Sequence, residues 1–203
     1  MSEVISDLYF ESIKYINNNL FNIQFHLDRL NKTIKDKFGA ECDVVTEADI
    51  FKPVVSDESV YKLRVVYADE IIYTEILPYK KPVINRLRIV VDNNIDYSHK
   101  NLNRDEINNL KSHANSDEDI IIIKNGFVTD SSFSNLVFFD GKNFFTPSTP
   151  LLKGTYREKL LSENKIIEKE IKLEDIKNYE SVSLINAFNN LGEIAISIED
   201  IIF

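Results

Sequence analysis

Residues 124–161 combine residue types that could together hold a charged ligand. A small polar run at residues 129–132 contains one acid, Asp130, and Gly154 stands where a helix is predicted to begin. The N–H groups at a helix start can bind an anion, because they have no partner within the helix. The single carboxylate of the polar run could bind a cationic ring nitrogen. The order of these residues therefore predicts a site for a ligand with both an anionic group and a cationic ring.

Two dipeptides divide this stretch into strands and turns. Asn125-Gly126 predicts a type I′ hairpin turn, since both central residues of that turn need positive φ, and Asp140-Gly141 repeats the signal. Residues 120–123 are entirely apolar, which predicts a strand buried on both faces, and residues 136–139 predict another strand. The polar run is therefore predicted to connect strands, and a helix follows them.

The same stretch resembles the signature region of the class IV aminotransferases, the pyridoxal-phosphate enzymes of fold type IV. The family pattern is roughly V-T-E-x-S-x-S-N, then a strand pair, then T-P, then G-I-T-R. This chain has V-T-D-S-S-F-S-N at 128–135, T-P at 146–147 and G-T-Y-R at 154–157, in the same order. Asp130 stands where the family usually has Glu, which is longer by one methylene.

The resemblance implies pyridoxal 5′-phosphate as the cofactor. It implies that Asp130 faces the pyridine nitrogen and keeps it protonated, and that the backbone amides of Thr155 and Tyr156 contact the phosphate. The alternative interpretation of Asp130 is a turn residue whose carboxylate hydrogen-bonds Ser132.

A second part of the resemblance lies near the C-terminus. The sequence S-L-I-N-A-F at 183–188 matches a family strand that ends in small or polar residues near the phosphate. This adds Asn186 and Ala187 to the predicted cofactor-binding residues. An ordinary buried strand end is the alternative for both of them.

Two motifs outside this region complete the predicted site. H-L-D-R-L at 26–30 resembles the H-x-x-R-L of the family, in which the arginine grips the cofactor phosphate. A guanidinium suits that task because it is planar, bidentate and always charged, so Arg29 is the predicted phosphate ligand.

K-N-L-N-R at 100–104 is similar to the K-x-L-N-R of aminodeoxychorismate lyases. The resemblance makes Lys100 the lysine that bonds to the cofactor and the catalytic base. A solvated arginine and an exposed lysine are the alternatives.

The elements that must position these residues can be read from the periodicity. One apolar face has helical spacing and consists of Leu27, Leu30, Ile34 and Phe38. Gly39 follows it, and glycine commonly ends helices. Residues 61–67 alternate as a half-buried strand does, and residues 71–77 return as a second strand. Pro78 and Pro82 then interrupt the pattern and predict a boundary between lobes.

The predicted fold is α+β and two-lobed, as the resemblance implies. Residues 1–80 would form a small N-terminal α/β lobe. Residues 81–203 would form a larger C-terminal lobe that binds the cofactor and consists mostly of antiparallel strands with short helices. The cofactor would lie between the two lobes, and the resemblance also implies a homodimer.

Composition excludes several classes of function. The net charge of −9 and the pI near 4.9 argue against general nucleic-acid binding, which needs a basic surface. We expect no membrane span and no signal peptide, since no apolar run is long enough and the first residues lack a basic and an apolar region. The single cysteine, Cys42, favours a reducing compartment, so a cytoplasmic protein is predicted. One cysteine and three scattered histidines predict no metal site.

The substrate is predicted to be a small amino compound. The motif at 100–104 and Asn186-Ala187 favour aminodeoxychorismate lyase, which makes 4-aminobenzoate and pyruvate for folate. The alternative is a transaminase of the branched-chain or D-amino-acid type that uses 2-oxoglutarate. Arg64 could bind a substrate carboxylate or face solvent, since strand alternation allows both. Because only nine residues precede Phe10 and the acid is Asp130, a non-catalytic cofactor-binding or scaffold relative also stays open.

Overall fold

The computed structural model describes residues 8–203, which divide into two compact units. The first unit contains the described residues up to Lys80 together with His99–Asn103. The second contains Lys81–Ser98 and Arg104–Phe203. The structure thus groups His99–Asn103 with the first unit, whereas the sequence prediction assigned all of residues 81–203 to the C-terminal lobe. Because Lys100 lies in this segment, the difference changes the surroundings of the predicted catalytic residue.

The first unit is a four-stranded antiparallel sheet with one long helix. Its strands, in the spatial order β2-β1-β3-β4, are β1 (Tyr9–Ile16), β2 (Asn19–Leu20), β3 (Tyr61–Tyr67) and β4 (Ile71–Pro78). The helix α1 spans Ile23–Phe38, and a short 3-10 helix spans Glu47–Asp49. The predicted stop of α1 is confirmed, since Gly39 has φ 77 and donates its N–H to the carbonyl of Lys35.

Alternation along β1 and β3 separates the two faces of this sheet. Ile13 and Leu63 pack against Leu30 and Ile34 of α1 in one buried cluster. Successive side chains of a strand point to opposite faces, so Phe10 and the other intervening residues lie on the face that α1 does not cover. The helix therefore covers only one face. Leu27, Leu30 and Ile34 of the predicted apolar stripe provide its packing, whereas Phe38 at the end of the stripe is 37% exposed.

The second unit contains two sheets. The strands are β5 (Arg86–Val91), β6 (Glu118–Lys124), β7 (Phe127–Val128), β8 (Asn135–Phe139), β9 (Phe144–Pro147), β10 (Ile167–Lys169), β11 (Ser181–Ile185), β12 (Ala195–Ser197) and β13 (Ile201–Ile202). The five-stranded sheet has the order β10-β9-β8-β11-β12, and the four-stranded sheet has the order β13-β5-β6-β7. The helices are α2 (Asp105–Lys111), α3 (Thr155–Ser162) and short 3-10 helices at Leu173–Asn178 and Ile198–Asp200.

The pairing in the second unit is mixed. Between described residues, four of its strand pairs are antiparallel and three are parallel. Strand β6 packs Ile121 and Ile123 into the main core and Ile120 and Ile122 into a second cluster with α2. The predicted burial of this strand on both faces is therefore confirmed, and the α+β fold class is confirmed as well.

The two predicted hairpin turns have different outcomes. Asn125 and Gly126 have φ 53 and 84, which confirms the type I′ geometry. At the second turn only Gly141 has positive φ, at 89. The Asp140 side chain accepts the N–H groups of Lys142 and Asn143, at 2.9 and 2.7 Å, and this closes a longer loop. The prediction of a second type I′ turn was therefore wrong, because the aspartate bonds its own loop.

Among residues 8–203, no helix combines the length and the apolar composition needed to cross a membrane.

Candidate active site

Lys100 lies in an extended segment that pairs with the beginning of β1. The N–H of Phe10 donates to the carbonyl of Lys100 at 3.0 Å, and the N–H of Leu102 donates to the carbonyl of Leu8 at 2.8 Å. The Lys100 ammonium lies over the Phe10 ring, 4.7 Å from its centroid. This pairing explains why the segment belongs to the first unit, and it holds the lysine beside the sheet.

Glu11, the residue after Phe10, points to the opposite face of the sheet and binds two side chains of α1. Arg29 forms a bidentate ion pair with it, from Nε to Oε1 at 2.8 Å and from a terminal nitrogen to Oε2 at 2.5 Å. His26 brings Nδ1 to 2.7 Å from the same Oε2. Glu11 is 0% exposed and His26 is 1% exposed, so the network is withdrawn from water. Such pairs hold a guanidinium in one orientation.

Burial and charge act in opposite directions on this network. Burial alone raises the pKa of Glu11, but the Arg29 charge and the hydrogen bonds from His26 and Arg29 outweigh it, so that the pKa falls to about 2. Burial lowers the pKa of His26, although its hydrogen bond to Glu11 opposes this effect. Glu11 is therefore ionised and His26 is neutral at pH 7. The neutral ring must carry its proton on Nδ1 in order to donate to the carboxylate.

Replacing Glu11 by glutamine is expected to destabilise the protein by about 3 kcal/mol at pH 7. The pKa of Glu11 is lower in the folded chain, so its contribution is present above the ordinary carboxyl pKa and is lost as pH falls towards 2. Urea unfolding at pH 7 and at pH 3 measures this, and the difference from wild type should shrink at pH 3.

Glu75→Gln is the matched control, because Glu75 pairs with Arg64 at the surface. An exposed pair of this kind is expected to change the stability by less than about 1 kcal/mol. Equal effects of the two substitutions would contradict a structural role for the buried network.

Asp130 lies in the second unit and is 6% exposed. Asn135 donates from Nδ2 to one carboxylate oxygen at 2.7 Å, and the N–H of Leu152 donates to the other at 2.9 Å. The turn after Asp130 is closed instead by the Ser131 hydroxyl, which accepts the N–H of Ser134 at 3.0 Å. These contacts differ from those of a turn aspartate bonded to Ser132, the alternative that the sequence allowed.

The charge of Asp130 is only partly compensated. Burial raises its pKa, while the hydrogen bonds from Leu152 and Asn135 and the charge of Arg157 lower it, and the pKa ends at about 6. The carboxylate therefore carries its charge at neutral pH at a cost in free energy. A cationic group at this carboxylate would lower the cost.

The start of α3 packs closely against the partner of Asp130. Gly154 is the N-cap residue, and it has no side chain with which to cap the helix. A Cβ on Gly154 would lie 1.9 Å from Oδ1 of Asn135, so only glycine permits this approach. Thr155 is buried and Tyr156 is half-buried, and they form the first turn of α3.

Arg157 connects the G-T-Y-R segment, to which it belongs, with the T-P segment at residues 146–147. Its side chain is almost fully buried and donates to the carbonyl of Pro147 at 2.9 Å. It also pairs with Glu158 at 2.7 Å and with Glu168 at 2.8 Å. The arginine thus fixes the first turn of α3 to the end of β9.

Replacing Gly154 by alanine is expected to destabilise the protein by about 1–3 kcal/mol, as overpacking in a dense region does. The backbone of Gly154 is extended, with φ −73, so the effect would come from the overlap with Asn135 rather than from backbone strain. Thermal or urea unfolding measures it. Gly192→Ala tests the opposite case, because Gly192 has open space around its Cβ position but φ 82. The double variant Gly154→Ala/Asn135→Ala should recover part of the loss, and no recovery would contradict the overlap.

Asn186 joins the polar run to the end of β11. Its Nδ2 donates to the Ser134 hydroxyl at 3.0 Å, and its Oδ1 accepts the N–H groups of Phe188 and Asn189 at 2.8 and 3.0 Å. Ala187 is half-buried, and its role stays a prediction.

The structure divides the predicted site residues between the two units. Arg29 and Lys100 lie in the first unit, both beside β1. In the second unit lie Asp130, Thr155, Tyr156, Asn186 and Ala187. No role was predicted for Glu11, His26 or Asn135, although His26 and Asn135 lie in the motifs at 26–30 and 128–135. The feature that could have identified these residues is a polar side chain at a buried strand or helix position.

Taken separately, each unit contains residues that suit a part of pyridoxal phosphate. A buried carboxylate with a raised pKa suits a cationic ring nitrogen, because a further positive charge beside Asp130 would favour its ionised form. The start of α3, where Gly154 as N-cap residue provides no side chain, suits a phosphate. Lys100 and Arg29 provide an amine and an oriented guanidinium in the first unit.

Comparison with known proteins agrees with this fit. Residues 8–195 match the family model described as amino-transferase class IV. A curated relative from Haemophilus influenzae strain Rd, named an uncharacterized protein, is 36% identical over 186 residues, which are 90% of this chain and 98% of that protein.

Solved structures resemble the chain over most of its length. A Haemophilus somnus 129PT protein, provisionally named a 4-amino-4-deoxychorismate lyase, is 32% identical with a TM-score of 0.79, over 91% of this chain and 98% of that chain. A provisionally named amino-acid aminotransferase from Mesorhizobium loti is 16% identical with a TM-score of 0.72, over 94% and 98% of the two chains. A hypothetical aminotransferase from Mycobacterium tuberculosis in a PLP-bound form is 15% identical with a TM-score of 0.72, over 99% and 85%.

The chain therefore belongs to the class IV aminotransferase family. At the level of the family, the predictions of fold type IV and of a pyridoxal-phosphate-dependent enzyme are confirmed.

Proposed function

We propose that this protein is an aminodeoxychorismate lyase that forms 4-aminobenzoate and pyruvate, a reaction of folate biosynthesis. The observation that carries this choice is the Haemophilus somnus relative, which is 32% identical and is covered over 98% of its length. The K-x-L-N-R motif at residues 100–104 supports the same choice. A transaminase that uses 2-oxoglutarate is the competing reaction within the family.

Lys100 is the residue that would hold the cofactor aldehyde and move the substrate proton. When bound, pyridoxal phosphate supplies an electron sink for the electrons of the bond that breaks at the substrate. The Lys100 amine, released when substrate binds, would take a proton from the substrate and return it to the product side. Its place beside β1, over the Phe10 ring, supports this role because an extended paired segment restrains the lysine backbone.

The remaining residues would bind and tune the cofactor. Asp130 would keep the ring nitrogen protonated, and its buried carboxylate supports this role. Arg29, oriented by Glu11, would neutralise the phosphate charge. The amides of Thr155 and Tyr156 at the start of α3 would do so as well. Asn186 and Ala187 would complete the phosphate site, because they match the family strand that ends near the phosphate.

The test uses purified protein loaded with pyridoxal phosphate. Aminodeoxychorismate is supplied in one reaction, and formation of 4-aminobenzoate is followed by fluorescence. Amino donors with 2-oxoglutarate are supplied in another, and glutamate is measured. Formation of 4-aminobenzoate with no glutamate supports the lyase, the reverse result supports the transaminase, and a visible cofactor band without either product supports a non-catalytic relative.

We further infer a cytoplasmic homodimer. The exposed free thiol of Cys42 suits a reducing compartment, and the dimer follows from the family resemblance. Light scattering during size-exclusion chromatography measures the mass, and a value near 23.5 kDa, that of one chain, would contradict the dimer.

A further inference from the structure

Asn135 is a buried residue at the beginning of β8 that bonds both to Asp130 and to the segment before α3. It is 6% exposed, and its amide nitrogen donates two hydrogen bonds. Nδ2 donates to Oδ1 of Asp130 at 2.7 Å and to the carbonyl of Leu152 at 2.8 Å. An ionised carboxylate and a carbonyl can only accept, so the amide must present its nitrogen to both. One side chain therefore connects the acid to the residues that lead into α3.

Asp130, Asn135 and Leu152 close a ring of hydrogen bonds. Leu152 accepts from Asn135, and its own N–H donates to Oδ2 of Asp130 at 2.9 Å. The backbones of Asp130 and Asn135 also pair as an isolated antiparallel bridge. Each carboxylate oxygen thus has its own donor, and turning the carboxylate about its Cβ–Cγ bond would misalign both hydrogen bonds. The ring therefore holds the carboxylate in one orientation.

The oxygen of the same amide packs against the beginning of α3. Gly154, the N-cap residue, approaches so closely that a Cβ on it would lie 1.9 Å from Oδ1 and 3.1 Å from Cγ of Asn135. A movement of this amide would consequently disturb the carboxylate and the helix start together. Asn135 thus contacts two of the parts of the second unit that are predicted to bind the cofactor.

Neighbouring buried side chains bond to the backbone instead. The Ser131 hydroxyl accepts the N–H of Ser134 at 3.0 Å, and the Thr129 hydroxyl donates to the carbonyl of Ile122 at 2.7 Å. These two bonds stabilise the turn and the strand pairing around the polar run. Asn135 differs from both residues because its side chain bonds to the carboxylate of Asp130.

We propose that Asn135 is a positioning residue, which orients the carboxylate of Asp130 for the ring nitrogen of the cofactor and fixes it relative to the start of α3. This role rests on the proposed function, since Asp130 is the residue that would touch the cofactor. A carboxylate that is already oriented needs no rearrangement when a cation binds, so it stabilises the positive charge better than a mobile one. The hydrogen bond from Asn135 also lowers the pKa of Asp130 against the effect of burial.

The first measurement is the pKa of Asp130 in the cofactor-free protein, followed by the carbon-13 chemical shift of its carboxyl group. Asp130→Asn identifies the signal. In Asn135→Ala this pKa is expected to rise from about 6 to about 7, since a hydrogen bond to the charged form is lost. The charge of Arg157, which also acts on the carboxyl group, is unchanged. Asn135→Ser should lie between the two proteins, because a hydroxyl can still donate one bond.

The second measurement compares the binding of pyridoxal phosphate with that of its analogue in which carbon replaces the ring nitrogen. Both compounds carry the aldehyde and the phosphate, so the ratio of their Kd values reports the contribution of the ring nitrogen. Wild type is expected to bind pyridoxal phosphate at least about 10-fold more tightly than the analogue. Asn135→Ala should lose most of this preference, because its Asp130 carboxylate is no longer held in one orientation.

Thr146→Val is the matched control. Thr146 is 0% exposed on β9, beside β8, and its hydroxyl donates to the carbonyl of Leu136 at 2.9 Å. Valine has a similar shape and cannot donate this bond, so the variant should unfold at a lower urea concentration, as Asn135→Ala should. The pKa of Asp130 and the ratio of the two Kd values should nevertheless stay as in wild type, because the lost bond goes to the backbone of β8.

A structural role of Asn135 alone would lower the stability without moving the other two quantities. An unchanged pKa of Asp130 or an unchanged Kd ratio in Asn135→Ala, or equal changes in Thr146→Val, would overturn the proposal. Wild type that binds both compounds equally would overturn it as well. Wild type without a visible cofactor band would instead contradict the proposed function, and the pKa of Asp130, measured without cofactor, would still decide whether Asn135 acts on this carboxylate.

Discussion

Replacing Lys100 by alanine is expected to remove covalent cofactor binding and to lower kcat/KM at least about 1000-fold. The lysine would provide both the amine that bonds to the cofactor and the base that moves the substrate proton. No other group named in the site could take over both tasks. The visible absorption band of the lysine-bound cofactor should be present in wild type and absent from the variant.

Borohydride reduction makes this result specific. Reduction should fix the cofactor to the peptide that contains Lys100 in wild type, and mass spectrometry identifies that peptide. Lys14→Ala is the matched control, because Lys14 is also a lysine of the first unit whose ammonium lies over an aromatic ring, that of Phe21 at 5.6 Å. A reducible adduct that persists in Lys100→Ala, or wild type without a band at saturating cofactor, would contradict the assignment.

Replacing Asp130 by asparagine is expected to lower kcat about 100- to 1000-fold while the cofactor still binds. An amide can accept a hydrogen bond but cannot balance the positive charge of a protonated ring nitrogen. The electron sink would therefore be weakened, whereas Lys100 and the phosphate ligands would be intact. Steady-state kinetics and the absorption spectrum together measure the two parts of this expectation.

The same substitution has a second, independent consequence in the cofactor-free protein. The pKa of Asp130 is raised to about 6 in the folded chain. Folding is then favoured by the protonated form, and the contribution is present below the ordinary Asp pKa and is lost as pH rises to about 6. Relative to wild type, the variant should gain up to about 3 kcal/mol of unfolding free energy between pH 3.5 and pH 7.

Asp119→Asn is the control for both measurements. Asp119 is also buried in the second unit, but Lys111 lies 3.4 Å from it, and no role in the site is proposed for it. Its substitution should leave kcat near the wild-type value. A pH-independent difference in stability between Asp130→Asn and wild type would show that Asp130 is not the buried acid that the structure describes.

Family membership and most elements could be predicted from the sequence, because they depend on local patterns. The helical spacing of Leu27, Leu30 and Ile34 determines which face of α1 is buried, and Gly39 ends that helix through its positive φ. The family was recognised from the order of the motifs along the chain, which requires no distance between residues in space. The prediction of a type I′ turn at Asp140-Gly141 was wrong, because the Asp140 side chain accepts two backbone N–H groups of a longer loop, and the dipeptide alone does not reveal these bonds.

The contacts within the candidate site needed the tertiary structure, because they join residues far apart in the sequence. Phe10 pairs with Lys100 through the backbone, and this moves the lysine from the lobe predicted for it into the first unit. The ionisation states also depend on burial, which raises the pKa of Asp130 although a sequence shows only a polar loop. The side chains alone define which chemistry is available. Burial and long-range pairing decide which side chains meet, because desolvation and hydrogen bonding act over space and not along the chain.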